Sequence, residues 1–308
     1  MSTSPAVAAG LWKASVATAL DLAAFLDQAG ERVVEVCRPK RATTRGGRKT
    51  DMLDAIRAAK EALATEHLIQ PRLRGEREAL RVLLATRNGA VVASTAAINQ
   101  LKALIVSAPY DLRVELRTLK RPTLVDLCAR LRESAARSLE HRMTVRALRS
   151  TARRIQSLQA EAKDLEKEIL ILVRQAAPEL LELLGVGPIT AAQILASWSH
   201  QGGFRSKAAF ASFAGVSPIP ASSGLTNRHR LNRSGDRQLN RAMHTITLIG
   251  MRLDPVTKTY VARRITEGKT SRDAQRYLKR TVCRQIFKIL ERAERTKIGH
   301  TGELVQAA

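Results

Sequence analysis

Two stretches of the chain carry apolar residues at every seventh position, and this repeat constrains the fold more than any other feature. The repeat in the longer stretch is filled by Leu148, Ile155, Ala162 and Ile169, with Leu158, Leu165 and Leu172 at the companion positions. The repeat in the earlier stretch is filled by Leu84, Val91, Ile98 and Ile105. Such heptads predict long helices that meet along an apolar seam. The pattern is equally compatible with a helical hairpin inside one chain and with a dimer seam between two chains.

The net charge restricts the partners that the chain can have. Among 308 residues, 52 lysines and arginines oppose 28 carboxylates, so the formal charge is +24. Such a field favours nucleic acid, because each neutralised phosphate releases counterions. An anionic membrane is the weaker alternative, since we find no signal peptide or spanning apolar run, and the arginines lie in turns broken by glycine and serine. Aromatic residues make up only 3%, which favours contacts to the phosphate backbone over stacking on bases.

The cysteines and histidines show no spacing that is typical of a disulfide framework or a zinc site. The three cysteines, Cys37, Cys128 and Cys283, lie far apart in the sequence. The six histidines are equally scattered: His67, His141, His200, His229, His244 and His300. We therefore predict a reduced, cytoplasmic protein.

The first seventy residues read as a fragment of an α/β unit. An amphipathic helix from Asp21 is closed by Gly30, and a short strand with Val33, Val34 and Val36 follows. After a basic loop, a second helix begins near Asp51. One strand does not make a sheet, so this region looks incomplete by itself.

A glycine turn between two predicted helices is the first candidate site. In the sequence LLELLGVGPITAAQIL, Gly185 and Gly187 occupy the turn and Thr190 opens the second helix. Backbone N–H groups and the helix dipole at that position suit a phosphate, as in the helix-hairpin-helix motif of DNA-binding proteins. The alternative is an ordinary helix connection with a glycine cap.

A Ser-Ser-Gly turn followed by arginines is the second candidate site. Ser222, Ser223 and Gly224 come after two prolines. The cations that follow are Arg228, Arg230, Arg233, Arg237 and Arg241. A serine hydroxyl is a weak nucleophile, and it becomes competent against a phosphodiester when cations stabilise the developing charge. From the spacing alone, a solvated turn beside a patch that binds phosphate is the preferred interpretation.

Two carboxylates at the start of a helix are the third candidate site. Asp51 and Asp54 are three residues apart and share a helix face. They could ligate a hard cation such as Mg²⁺. A helix N-terminus attracts aspartate in any case, so the spacing alone favours the structural interpretation.

Taken in order, these motifs resemble the IS110 family of insertion-sequence transposases, which includes the Piv-type pilin-gene invertases. The resemblance runs from about residue 22 to residue 290, and its strongest part is Leu180–Met243. There, GVGPITAAQIL, FRSKAAFASFAGVSPIPASSG and NRSGDRQLNRAM are similar to the C-terminal domain of the family. The stretch GERVVEVCRPKRATTRGGRKTDMLDA resembles the end of its N-terminal RuvC-like domain.

The resemblance implies particular roles for these residues. Ser223, with Ser222 as the near alternative, would be the nucleophile that links the protein covalently to DNA. Asp51 and Asp54 would be two of four acidic ligands for Mg²⁺. The implied partners are DNA, a structured non-coding guide RNA and further copies of the chain.

The first two acidic ligands of the family have no counterpart here, because residues 1 to 20 contain no carboxylate. The resemblance therefore implies an N-terminally truncated copy or a misplaced start.

We therefore expect a mainly α-helical protein with four parts. Residues 1–70 would be the remnant of a RuvC-like α/β domain, and residues 71–178 a coiled-coil helical hairpin. Residues 179–295 would be a helical DNA-binding transposase domain with a helix-hairpin-helix-like motif, and residues 296–308 a tail. The alternative function is a DNA- or RNA-binding remnant that dimerises through the coiled coil and cuts nothing.

Overall fold

The chain is mainly helical. The computed structural model describes residues 16–31, 33–34, 51–64, 75–198, 203–220, 229–230, 232 and 234–306, a few of them by their backbone alone. The helices are α1 Val16–Gln28, α2 Asp51–Ala64, α3 Glu76–Val106, α4 Tyr110–Arg117, α5 Arg121–Arg130, α6 Leu139–Ala176, α7 Glu179–Glu182, α8 Pro188–Trp198, α9 Lys207–Phe213, α10 Arg237–Leu253, α11 Pro255–Thr266 and α12 Ser271–Gln306. Strands β1 Ile219–Pro220 and β2 His229–Arg230 form one antiparallel ladder.

The N-terminal region forms both predicted helices, but the described residues between them form no strand. Helix α1 begins five residues earlier than predicted and is closed by Gly30 at a φ of 79°. Helix α2 begins at Asp51 as predicted. Val33 and Val34 are not in a strand, so the strand prediction is wrong at these positions, while Val36 lies outside the described residues. The α/β remnant is therefore not confirmed.

Helices α3 and α6 pack as an antiparallel hairpin within one chain. The predicted heptad on α6 is confirmed, because Leu148, Ile155, Ala162 and Ile169 are all buried. Near the middle of the hairpin, Arg87 of α3 pairs with Glu166 of α6 at 3.3 Å. Of the two alternatives, the structure shows the helical hairpin within one chain, and the apolar seam is buried between α3 and α6.

The heptad prediction on α3 was less accurate. Ile105 is buried, but Val91 is 36% exposed. The buried face is instead built largely from Leu80, Ala90, Ala97 and Leu101. Small alanines allow the two helices to approach closely, and they were overlooked because the larger Val91 lies beside Ala90 in the sequence.

Helix α3 also corrects the expectation that no apolar run reaches spanning length. By length and composition it could cross a membrane, since the mean hydropathy of its most apolar 18 residues is 1.4. In the structure its buried face packs against α6, and Arg87 within it is paired. About 28% of that apolar stretch is buried in the structure.

The base of the hairpin shares one hydrophobic core with the C-terminal helices. Leu80 of α3 and Ile169 of α6 contact a core that includes residues of α8, α9, α10 and α12. Rings from three of these regions meet in an aromatic cluster formed by Trp198, Phe204, Phe210, Phe213 and Phe287. This shared core fixes the position of α10 and α12, which carry the candidate site.

The two described cysteines are structural. Cys128 and Cys283 are free and buried, and burial raises the pKa of their thiols to about 11 and about 12, respectively. Both stay protonated near neutral pH, so neither is a reactive thiolate.

Candidate nucleic-acid interface

Helices α8 and α10 run antiparallel, and this orientation organises the site. At one end, Ser197 near the end of α8 donates a hydrogen bond of 2.6 Å to Asp236, which caps the start of α10. At the other end, the turn before α8 places Gly185 against Ile249 near the end of α10. The two motifs that the sequence singled out therefore lie at opposite ends of α10.

Asn232 and residues 234–236, which precede α10, are fastened to the end of α9. The backbone N–H of Asp236 donates to the carbonyl oxygen of Phe213 at 2.8 Å. Gly235 adopts a φ of 103°, and a Cβ placed there would lie 2.3 Å from that same oxygen. The side-chain amide of Asn232 donates to the carbonyl oxygen of Ser212 at 3.4 Å. Only glycine fits at position 235, because any larger residue would push the two chain segments apart.

Asp236 combines two structural tasks. One carboxylate oxygen accepts hydrogen bonds from the backbone N–H groups of Gln238 and Leu239, at 2.8 and 3.0 Å. The other accepts the hydroxyl of Ser197, a residue that is only 7% exposed and that accepts a hydrogen bond from Gln193. This cap fixes the direction in which the first turn of α10 presents its side chains.

Two predicted phosphate-binding residues project from that first part of α10. Arg237 and Arg241 are four residues apart, are both exposed, and lie on one face of the helix. Among the described residues, no carboxylate pairs with either guanidinium. Arg237 occupies the first helical position, where the helix dipole disfavours a cation. A phosphate at this position would relieve that repulsion.

Helix α12 adds cations that the sequence reading missed. Lys279 donates to the side-chain oxygen of Asn240 at 3.1 Å, between the two arginines of α10. Burial lowers the pKa of the Lys279 ammonium, which is the direction expected for a charge with no anion beside it. Arg280 donates to the hydroxyl of Ser217 at 2.6 Å, two residues before β1. The regular spacing of cations along SRDAQRYLKRTVCRQIFK was the available signal.

These contacts place the cations around the base of the β1–β2 ladder. Ile219 pairs with Arg230, and Pro220 pairs with His229. Asn240, held by Lys279, also donates to the carbonyl oxygen of Ala214 at 2.8 Å, in the turn that leads towards β1. The ladder is thus connected to both α10 and α12.

Several predicted site residues lie where their side chains are not described. Ser222, Ser223 and Arg228, between the two strands, lie outside the described residues, and so does Arg233. Of Arg230, Asp51 and Asp54, only the backbone is described. Asp51 and Asp54 fall in the first turn of α2, as predicted. In the part of the chain that the structure describes, no three His, Cys, Asp or Glu side chains are grouped to hold a metal ion.

In the glycine turn between α7 and α8, the structure shows a packing role for Gly185, and the phosphate contact stays a prediction. Helix α7 is only 4 residues long, and Gly185 faces inward at a φ of 87°, where a Cβ would lie 3.0 Å from the Cβ of Ile249. Gly187 is exposed with open space around it, and Thr190 is half-buried. A helix-hairpin-helix motif is not confirmed. Counted along α10, the turn lies about 18 Å from Arg237, so the two do not form one phosphate site.

This arrangement predicts different effects for the two glycines of the turn. We expect Gly185→Ala to destabilise the fold by roughly 1–3 kcal/mol, because both the backbone strain and the contact with Ile249 oppose it. Gly187→Ala should change stability by less than about 0.5 kcal/mol, since its Cβ meets open space. Urea unfolding of both variants measures the difference. Equal stability of the two would contradict the inward role of Gly185.

The comparisons with known proteins locate the family signal in this same region. Residues 177–262, which include the α7–α8 turn, the ladder and α10, match the model of the transposase IS116/IS110/IS902 family. Over these residues the chain is similar to this transposase family. The family was predicted from the sequence motifs, and this match confirms it.

Two curated relatives agree with this assignment. The chain is 33% identical over 144 residues to an insertion element IS110 uncharacterized 43.6 kDa protein of Streptomyces coelicolor, which is 46% of this chain and 36% of the relative. It is also 33% identical over 122 residues to an insertion element IS900 uncharacterized 42 kDa protein of Mycobacterium paratuberculosis, which is 38% of this chain and 31% of the relative. The chain thus spans about a third of the length of each relative that it matches.

Proposed function

We propose that this transposase-family chain binds, cuts and joins DNA at the α10–α12 surface, with a serine of the 221–228 segment as nucleophile. The supporting observation is the set of cations around the base of the β1–β2 ladder. Lys279 and Arg280 of α12 bond to Asn240 of α10 and to Ser217 before β1. Arg237 and Arg241 flank Asn240 along α10, and none of these four cations has a carboxylate partner among the described residues. The ladder leads directly into the segment that carries Ser222 and Ser223.

The chemistry that this surface supports is phosphoryl transfer. The hydroxyl oxygen of Ser223 would attack a DNA phosphorus and form a phosphoserine ester, while the bond from phosphorus to one sugar oxygen breaks. The serine loses its proton, and the departing sugar oxygen takes one up. A sugar hydroxyl of the second DNA strand would then attack the ester, which rejoins DNA and releases the serine. Arginines beside the phosphate stabilise the charge that develops in both steps.

A divalent cation would assist this reaction through Asp51 and Asp54. Two carboxylates three residues apart on one helix turn supply oxygen ligands of the kind that Mg²⁺ prefers. The shell would be completed by water and by phosphate oxygens of the substrate, because two protein ligands are only part of an octahedron. When bound, the metal would polarise the phosphate under attack.

The further partners in this proposal are RNA and additional copies of the chain. A guide RNA would supply sequence recognition by base pairing, while the protein contacts the backbone. Recombination also needs two DNA ends to be held together, so we expect an oligomer. The α3–α6 seam is buried within one chain, so an oligomer would use other surfaces. We expect the protein to act on DNA in the cytoplasm.

A covalent adduct is the test of this proposal. The purified chain would be incubated with Mg²⁺, end-labelled duplexes from the DNA that flanks its gene, and RNA transcribed from that same DNA. We expect a labelled protein band that survives denaturation and that mass spectrometry assigns to a nucleotide on Ser223. Ser223→Ala should abolish the band, because no other atom replaces the nucleophile, while Ser222→Ala should retain it.

The controls separate the possible outcomes. A band that persists in Ser223→Ala but disappears in Ser222→Ala would assign the nucleophile to Ser222. DNA binding without any adduct, in both the unmodified chain and the variants, would overturn the catalytic proposal. That result would favour the alternative of a DNA-binding protein that cuts nothing.

A further inference from the structure

Positive charge is unevenly distributed along the helical hairpin. The distal part, residues 107–154, carries twelve arginines and lysines but five carboxylates. The rest of α6, residues 155–176, carries three cations and four carboxylates. The cations therefore concentrate at the end of the hairpin that lies farthest from the shared core at Leu80 and Val173.

Two arginines of α6 bond to the end of α5, and three further arginines lie beside them on the same two segments. Arg149 donates to the carbonyl oxygen of Leu131 at 3.2 Å, and Arg153 donates to the carbonyl oxygen of Ala129 at 3.3 Å. Because these carbonyls belong to the last residues of α5, the hydrogen bonds bring α6 beside the neighbouring cations. The distal arginine cluster, as we call it, consists of Arg130, Arg132, Arg146, Arg149 and Arg153.

Only part of this cluster is explained by folding. Arg149 and Arg153 satisfy carbonyl groups at the C-terminus of α5, which is a structural role. Arg132 and Arg146 are exposed, and neither side chain makes a hydrogen bond or ion pair with another described residue. Arg146 lies one turn before Arg149 on the same face of α6.

The carboxylates nearby do not balance the cluster. Glu133 pairs with Arg149 at 2.6 Å. The Asp126 carboxylate accepts a hydrogen bond from Gln156 at 2.9 Å, and the Asp126 backbone carbonyl accepts one from Arg130 at 3.1 Å. The remaining guanidinium groups repel one another, and an external polyanion would remove that repulsion.

We propose that the distal arginine cluster is a second DNA-binding surface, which contacts the phosphate backbone of the duplex that is bound at the α10–α12 surface. This inference depends on the proposed function, because it assumes that the chain binds DNA. Double-stranded DNA fits better than a single strand, since Tyr110 is the only Phe, Trp or Tyr in residues 107–154, and unpaired bases need rings to stack on.

The length of α6 sets the spacing between the two surfaces. From Arg149 to Val173, which packs in the shared core, α6 rises by about 36 Å at 1.5 Å per residue. Duplex DNA covers that distance in about ten base pairs. A duplex must therefore extend roughly one helical turn beyond the α10–α12 surface before it can reach the cluster.

Duplex length provides the test. Affinities of the unmodified chain and of an Arg132→Ala, Arg146→Ala variant would be measured on 8- and 30-base-pair duplexes of mixed sequence. On the long duplex we expect the variant to bind about 5- to 10-fold more weakly, with a salt slope about two units smaller. On the short duplex, which cannot reach both surfaces, the two should agree within about twofold.

A matched variant and an RNA control make the test specific. Lys163→Ala with Lys167→Ala removes the same charge from the middle of α6 and should leave both affinities within about twofold. Equal loss on both duplexes, or loss only with a structured RNA hairpin, would overturn the inference. If the unmodified chain bound no DNA of either length, the proposed function itself would be refuted. Failure of this inference and failure of the proposed function are therefore distinguishable.

Discussion

Gly235→Ala should unfold the candidate site more severely than any other single substitution considered for this chain. The added Cβ would lie 2.3 Å from the carbonyl oxygen of Phe213, and the residue would have to keep a φ of 103°. Relief of the contact breaks the hydrogen bond from Asp236 to Phe213 and releases the cap of α10. We expect a loss of about 3 kcal/mol or more in the free energy of unfolding, measured in urea.

Gly268→Ala provides the control for backbone strain. Gly268 also has a positive φ, of 80°, but its Cβ would meet nothing within 4 Å. Its substitution should therefore cost only about 1 kcal/mol, from strain alone. If Gly235→Ala were no more destabilising than Gly268→Ala, residues 234–236 would not be packed against α9 as described.

The second large effect is expected for DNA binding. Replacement of both Arg237 and Arg241 by alanine should weaken binding to a 30-base-pair duplex by about 30-fold or more, because two charge-assisted contacts to phosphate are lost. Both side chains are exposed, and Arg237 opposes the helix dipole. The variant should therefore be as stable as the unmodified chain or slightly more stable. Lower affinity without lower stability is typical of a binding residue.

Arg252→Ala is the matched control on the same helix. Arg252 is exposed in the last turn of α10, where the helix dipole favours a cation. Its removal should leave DNA affinity within about twofold and reduce stability slightly. An equal loss of affinity in Arg252→Ala would mean that only the total charge matters, and not its position on α10.

The sequence predicted the hairpin better than it predicted which residues face its seam. The heptad of Leu148, Ile155, Ala162 and Ile169 is buried throughout, since a sevenfold repeat with apolar companion positions places one stripe along a long helix. On α3, the packing selects Ala90 and Ala97, whose small size is needed for close approach but gives a weak hydropathy signal. The choice between a hairpin and a dimer depends on the connection between the helices and on the shared core. The periodicity of the sequence gives no information about either.

In the candidate site, too, the sequence predicted some residues and missed others. Arg237 and Arg241 were predicted from local sequence, and the structure places them together on an exposed face. Lys279 and Arg280 were missed because their contacts, with Asn240 of α10 and with Ser217 before β1, are tertiary contacts across about forty and sixty residues. The packing of Gly185 against α10 was missed because a glycine that packs against a neighbouring helix and a glycine that contacts a ligand look identical in a sequence.

The salt dependence of DNA affinity tests the central claim most directly, which is that the arginines around the β1–β2 ladder bind the phosphate backbone. For the unmodified chain we expect a log–log slope of roughly −5, which corresponds to about six neutralised phosphates. The Arg237→Ala, Arg241→Ala variant should have a slope that is smaller by about two. A flat response of the unmodified chain, or an identical slope for the variant, would contradict this account.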